Sequence, residues 1–184
     1  MDIKKGFRSR YFEGFHEEWT VDEDGKSKVI RIYTDNYYIN ALSDKTRNII
    51  KTLYVLMFIA GSFMYGYAAS RRNEANHFFV SELVTAVALF LMMIVLIAVI
   101  SYCMVNKDLS KWEYRTHSVY LRQGSQFIGG AAVINLVLHL IINGIDGTQV
   151  PVTAAYIGAA AIFITMGYIE GHVPYDVVEV SDRE

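Results

Sequence analysis

Four apolar runs dominate this 184-residue chain, at residues 49–69, 78–105, 127–145 and 150–169. A helix needs about 20 apolar residues to cross about 30 Å of hydrocarbon, and each run is near that length or longer. A helix flanking a water-soluble core would show a polar face at every turn, and these runs mostly do not. The second run is the strongest. Residues 83–105 carry no charge and hold thirteen Leu, Ile, Val and Phe residues, which favour insertion by about 4–8 kcal/mol. The pattern predicts an all-α membrane protein, a four-transmembrane-helix bundle over residues 49–169. An alternative folds the last two runs into one re-entrant hairpin through Asp146-Gly147-Thr148-Gln149. Pro151 suits the first turn of the last helix, and neither proline of the chain interrupts a helix interior.

Lysine and arginine counts set the expected orientation. The N-terminal tail, residues 1–48, has nine; the middle loop, 106–124, has four; the C-terminal tail, 170–184, has one. With four spans these segments share a side, and the other side has only Arg71 and Arg72. Fourteen against two places both termini and the middle loop in the cytoplasm by the positive-inside rule, with Arg71-Arg72 as a counter-signal. The tail before the first run is polar and charged, so that run is expected to serve as an uncleaved insertion signal. Lys51, one turn inside the first run, is expected to snorkel to the headgroups. A bacterial plasma membrane is the default location. The lone cysteine, Cys103, cannot form an intrachain disulfide.

The N-terminal tail is too rich in aromatic residues for a disordered segment. Residues 15–34 read as a β-hairpin turning at Asp24-Gly25. That turn sets Val21 opposite Lys28, Trp19 opposite Ile30 and Glu17 opposite Ile32. Phe15, Trp19, Val21, Ile30 and Ile32 then share one face, and Glu18 meets Arg31 on the other. An isolated hairpin is marginal in water, so a partner is needed. The C-terminal strand-like run at residues 176–180 would supply a third strand; docking on the bilayer or another protein would serve instead. Ser43 is expected to cap the first helix. Ser110-Lys111-Trp112-Glu113 fits a capping box, starting a helix that runs into the third span, with kinks at Gly124 and Gly129-Gly130. Lys111, Trp112, Arg115 and Arg122, with Tyr114 and Tyr120, suit headgroup contact, as topology anchors or as a specific anionic-lipid site.

Inside the spans, Asn135, His139 and Asn143 recur every four residues and form one stripe on a helix. Interhelical hydrogen bonding is the plainer reading of such a stripe; a polar path for a small solute or proton is the sharper one. Ser62, Gly66 and Ser70 in the first span, and Ala154 with Gly158 and Ala155 with Ala159 in the fourth, are small residues at helix-packing spacing, inside the bundle or at a homodimer seam. Glu82 and Glu170 read as solvated helix ends. The five histidines fall in separate segments without ligand spacing, so no metal or cofactor is expected.

There is no Gly-rich phosphate loop, HExxH, CxxC or GxSxG motif, and a net charge of −2 with no basic patch argues against nucleic acid. The leading expectation is a non-enzymatic accessory, scaffold or regulatory subunit of a larger membrane assembly. Its partners would be lipids and another membrane or cytoplasmic protein, or a second copy. The rival is a small transporter or channel with its path along Asn135, His139 and Asn143.

Overall fold

The computed structural model describes residues 15–21, 27–33, 36–105, 107–144 and 147–178. The chain divides into two compact units, one of Met1–Ala41, Asn106–Arg115 and Pro174–Glu184, the other of Leu42–Val105 and Thr116–Val173.

The second unit is helical. Four helices, α1 (Asp44–Ala69), α2 (Phe79–Met104), α3 (Lys111–Asn143) and α4 (Val150–Gly171), are each long and apolar enough to cross a membrane. At about 1.5 Å per residue the 22-residue α4, the shortest, spans about 33 Å. Their starts follow from local chemistry. The Ser43 side chain accepts the Thr46 N–H and caps α1. Ser110 and Glu113 form the reciprocal capping box expected for α3. Pro151 sits in the first turn of α4, where a missing N–H leaves no bond unmade. At the other end of α3, Gly144 adopts φ 69°, a conformation that side-chain-bearing residues rarely take.

α4 packs between α1 and α3, and α2 packs mainly on α3. The buried positions are aromatic or small: Tyr54, Tyr65, Tyr156 and Phe163 are fully buried among Ala68, Ala88, Ala132 and Ala159. Large aliphatic and aromatic side chains point the other way. Phe63, Phe90, Phe127 and Ile141 are each at least 66% exposed, as are many of α2's Leu, Ile and Met residues to a lesser degree. Glycines let α3 and α4 close up. A Cβ at Gly167 would lie 2.8 Å from the Arg122 carbonyl oxygen.

α3 departs from expectation in one place. Its distortion is a π-helical turn at Arg115–Val119, where Thr116, His117 and Ser118 are buried, and not a kink at Gly124 or Gly129-Gly130. Those glycines lie in regular α-helix; the first two serve close approach, Gly124 to Val95 and Gly129 to Ile164. A π turn inserts one residue and re-aims the side chains on either side of it.

The first unit holds two small sheets. β1 (Phe15–Val21) and β2 (Ser27–Tyr33) form an antiparallel pair. Asp24-Gly25 lies outside the described residues, but the register corrects the two-residue turn expected there. Val21 pairs with Ser27 and Trp19 with Val29, one residue out of step with the expected register. Five residues separate the strand ends. The shift sets Glu17 opposite Arg31 and leaves Ile30 and Ile32 opposite Glu18 and His16. Cross-strand pairs are worth only some tenths of a kcal/mol each. Both registers offer an aromatic–aliphatic and an opposite-charge pair, so pairing arithmetic does not separate them.

The second sheet has the order β4-β3-β5. Its centre, β3 (Tyr37–Asn40), pairs antiparallel with β4 (Asp108–Leu109) and with β5 (Tyr175–Val178). The C-terminal strand therefore joins β3 and not the β1–β2 hairpin. Tyr38 anchors this sheet. Its ring stacks on Tyr114 at 4.3 Å, and Tyr114 meets Tyr175 edge-on at 4.9 Å. Tyr114 is thus occupied against the sheet rather than free for headgroup contact.

Candidate functional site

Polar side chains inside apolar helices are the sparse chemistry of this chain, and the structure gathers them into two clusters. The larger surrounds the stripe on α3. Asn135 is 1% exposed and His139 fully buried. Asn135 bonds to two other helices. Its Nδ2 donates to the Tyr65 hydroxyl of α1 at 3.0 Å and to Thr85 Oγ1 of α2 at 2.9 Å, and its Oδ1 accepts from Ser81 Oγ at 3.2 Å. Both amide hydrogens and the carbonyl are taken up within the protein.

One turn on, His139 Nδ1 lies 2.9 Å from Asn143 Nδ2, and Asn143 Nδ2 also donates to Asn73 Oδ1 at 3.2 Å. Asn73 Oδ1 in turn accepts the Asn76 backbone N–H at 2.8 Å. Asn76 closes the network. Its Nδ2 donates to the carbonyls of Ala68 and Arg71, both at 2.8 Å, and its Oδ1 accepts from the Tyr156 hydroxyl of α4 at 3.0 Å. The last carbonyls of a helix have no partner within it, and Asn76 supplies one to the end of α1. The rings of Tyr65 and Tyr156 meet edge-on at 6.0 Å, and His139 lies 6.2 Å from Tyr156. Asn135 thus ties α3 to α1 and α2, while His139 and Asn143 lead through Asn73 and Asn76 to the α1–α2 loop and α4, and the Tyr65–Tyr156 ring contact adjoins the two sets.

The second cluster lies at the other end of these helices. Tyr54 of α1 donates to Glu170 Oε2 of α4 at 2.8 Å, and Tyr102 of α2 packs edge-on against Tyr54 at 5.2 Å. Glu170 is 2% exposed, which corrects its reading as a solvated helix end: the α4 helix continues to Gly171 and turns that carboxylate inward against α1. Glu82 does sit in solvent, 3.8 Å from His77. Lys51 also departs from expectation. Its Nζ donates to the carbonyls of Cys103 at 3.0 Å and Val105 at 3.3 Å, so it caps the end of α2, where a cation meets unpaired carbonyls, and does not reach for headgroups.

The remaining sequence candidates are dispersed. Lys111, Trp112, Arg115 and Arg122 are exposed. A Cβ on Gly66 would meet nothing within 4 Å, whereas its neighbour Gly61 is buried against Phe163 and Ile162 of α4. The α1–α4 seam therefore runs through Gly61, while Gly66 faces open space. On α4, Gly158 faces Met64 of α1, Ala155 and Ala159 are buried, and Ala154 is exposed. Among the described residues no group of His, Cys, Asp or Glu is arranged to hold a metal ion.

Sequence reasoning found the α3 stripe but missed its partners: Tyr65, Asn73, Asn76, Ser81, Thr85 and Tyr156. One signal was available. Asn73 and Asn76 stand three apart in a short loop, the spacing at which an Asn side chain caps the backbone of a turn. Hydroxyl groups of Tyr, Ser and Thr inside apolar runs give no such signal, because they are as common on packing faces as in networks. Comparison with protein-family models, curated proteins and solved structures finds no match to this chain.

Proposed function

We propose that this chain is an integral membrane protein that works without catalysis, as an accessory, scaffold or regulatory subunit of a larger membrane assembly. The outward-facing Leu, Ile, Phe and Met residues of α1 to α4 would meet lipid; water-soluble monomers rarely leave continuous apolar patches beyond a few hundred Å². By the positive-inside rule both termini and the α2–α3 connection lie in the cytoplasm, and a bacterial plasma membrane is the location that fits such a chain. The unit built from β1 to β5 is then the cytoplasmic, partner-facing part.

The observation that carries this reading is that the main polar network is spent on contacts between helices and the α1–α2 loop, with Asn73 Nδ2 and His139 Nε2 its buried atoms left without a partner. Asn135 engages both amide hydrogens and its carbonyl oxygen with Tyr65, Thr85 and Ser81, and Asn143 spends both amide hydrogens on His139 and Asn73. Groups engaged in this way hold helices together; a solute path would need some of them turned to a lumen. The transporter reading accordingly has less support.

Deletion of residues 1–35 tests the proposal, because it removes β1 and β2 and keeps β3. The shortened chain should still insert, and co-purification from mild detergent should lose the partners that the full chain retains. Identical partners in both preparations, or substrate flux through the intact protein in proteoliposomes that His139→Ala abolishes, would overturn it.

A further inference from the structure

We propose that the groove between α2 and α3 binds one anionic phospholipid, with Arg122 on its phosphate, Gln126 on an ester carbonyl and an acyl chain seated over Gly130. The groove is lined by Leu83, Val87 and Leu91 of α2 and by Gln126, Gly130 and Ile134 of α3, and has a volume of about 350 Å³. Gly130 opens it, since a Cβ there would meet nothing within 4 Å. Gln126 is the polar residue on a wall that is otherwise apolar. The site rests on the reading of these helices as membrane-spanning.

Arg122, Gln126, Gly130 and Ile134 follow at intervals of four along α3. They form one row on the helix, each about 6 Å beyond the last. In order the row offers a cation, an amide, an open notch and an aliphatic side chain. A phospholipid presents its phosphate, ester carbonyls and hydrocarbon in the same order. The apolar run of α3 begins at residue 127. That sets Arg122 and Gln126 in the interfacial layer, about 5–7 Å deep on each side of the hydrocarbon, and Gly130 and Ile134 beneath it. Two glycines of α4 make room for the polar stems. A Cβ at Gly167 would lie 2.8 Å from Gln126 Cγ, and one at Gly171 would lie 3.2 Å from Arg122 Cδ.

Charge and size name the occupant. Arg122 and Gln126 are exposed, and among the described residues neither side chain has a hydrogen-bond or ion-pair partner. The carboxylate of α4, Glu170, is turned inward against Tyr54, so the guanidinium stands as an uncompensated cation at headgroup level. Phosphatidylcholine carries its own cation beside the phosphate; an anionic lipid does not, and Arg122 favours the latter. The Gln126 amide hydrogens suit an ester carbonyl, which only accepts. Lipid tails are as apolar as leucine, so the groove holds a chain by packing contact and the polar pair selects the lipid. A helix of a second copy is too wide. From Gln126 to Ile134 the groove runs about 12 Å, and a helix about 10 Å across would need more than twice its volume over that length.

The test places the full chain in nanodiscs of phosphatidylglycerol and phosphatidylcholine in equal parts, releases it into mild detergent and weighs it by native mass spectrometry. The expected result is a monomer that retains one phospholipid, with phosphatidylglycerol favoured about fivefold, the ratio that one cation at headgroup level is worth. Arg122→Gln should keep a lipid but lose the preference. Gly130→Leu fills the seat without crowding the protein and should lose most of the retained lipid. Lys45→Gln removes an exposed cation at the start of α1 and should change neither. The proposal is overturned if the two lipids are retained equally, if the preference survives Arg122→Gln or is lost in Lys45→Gln, or if Gly130→Leu retains lipid as the wild type does. A dimer that Gly130→Leu separates would assign the groove to a second copy and overturn it too. An inserted chain that retains no lipid sinks this site alone; a chain that stays in detergent-free buffer and never enters the nanodisc sinks the membrane reading with it. Should Gly130→Leu fail to fold, the wild-type preference and its loss in Arg122→Gln still decide.

Discussion

Asn135 concentrates at one residue what the polar network does for the bundle. It ties α3 to α1 and α2 with every polar atom it has. Asn135→Ala leaves the Tyr65, Thr85 and Ser81 hydroxyls short of a partner, and each interhelical bond of this kind is worth about 0.6–2 kcal/mol. Destabilisation of about 1–3 kcal/mol is expected in a reversible detergent-unfolding titration. An unchanged midpoint would mean that the hydroxyls re-pair among themselves. At the other end of the helices, Tyr54→Phe removes the donor to Glu170 Oε2 and should lose about 1–3 kcal/mol, because a buried acceptor is left bare. Glu170→Gln keeps an acceptor for Tyr54 and should be the milder change; the reverse order would show that Tyr54 contributes less than Glu170's other surroundings. The capping residues Ser43 and Ser110 were legible from sequence because their partners lie three residues away. The bond from Tyr156 to Asn76 spans 80 residues, and nothing local announces it.

Contacts between helices are decided by where backbones approach. Gly167→Ala places a methyl group 2.8 Å from the Arg122 carbonyl, which is backbone and cannot swing aside. α3 and α4 must part, and overpacking of this sort costs about 1–3 kcal/mol. Gly66→Ala meets nothing within 4 Å and should be neutral or stabilising by up to about 1 kcal/mol through helix propensity. The two variants compared in one unfolding titration separate an internal seam from an open face. If Gly66→Ala instead lowers stability, or lowers a dimer fraction on size exclusion, that face is covered by a second copy. Periodicity in sequence located the small residues every four positions but left the facing row open; Gly61 and Gly66 are both glycines, and only Phe163 opposite the first distinguishes them. The same ambiguity misplaced the β1–β2 register by one residue, since two registers offered similar pairs.

Topology is the testable quantity for the protein taken entire. In a Cys103→Ala background, Glu74→Cys in the α1–α2 loop should react with a membrane-impermeant maleimide in intact cells. Lys111→Cys, at the start of α3, should react only after permeabilisation. Both positions are exposed, so failure to label reports the membrane and not burial. The inverted pattern would place the termini outside and set the Arg71-Arg72 counter-signal above the fourteen cations of the tails and middle loop. The assembly-level proposal then moves with it, because the β-strand unit would face the exterior.

The number of long apolar helices and the caps at Ser43 and Ser110 could be read from the chain alone, because each rests on composition or on contacts within one turn. So could the stripe of Asn135, His139 and Asn143, which follows from a helix's repeat. Tertiary structure decided the rest: which helix lies beside which, that β5 pairs with β3, that Glu170 turns inward, and that His139 and Asn143 join a network with Asn73, Asn76 and Tyr156. Those outcomes depend on groups far apart in sequence meeting within hydrogen-bonding distance. Hydrogen bonds act over about 3 Å, so residue spacing says nothing of them until the backbone has brought the partners together.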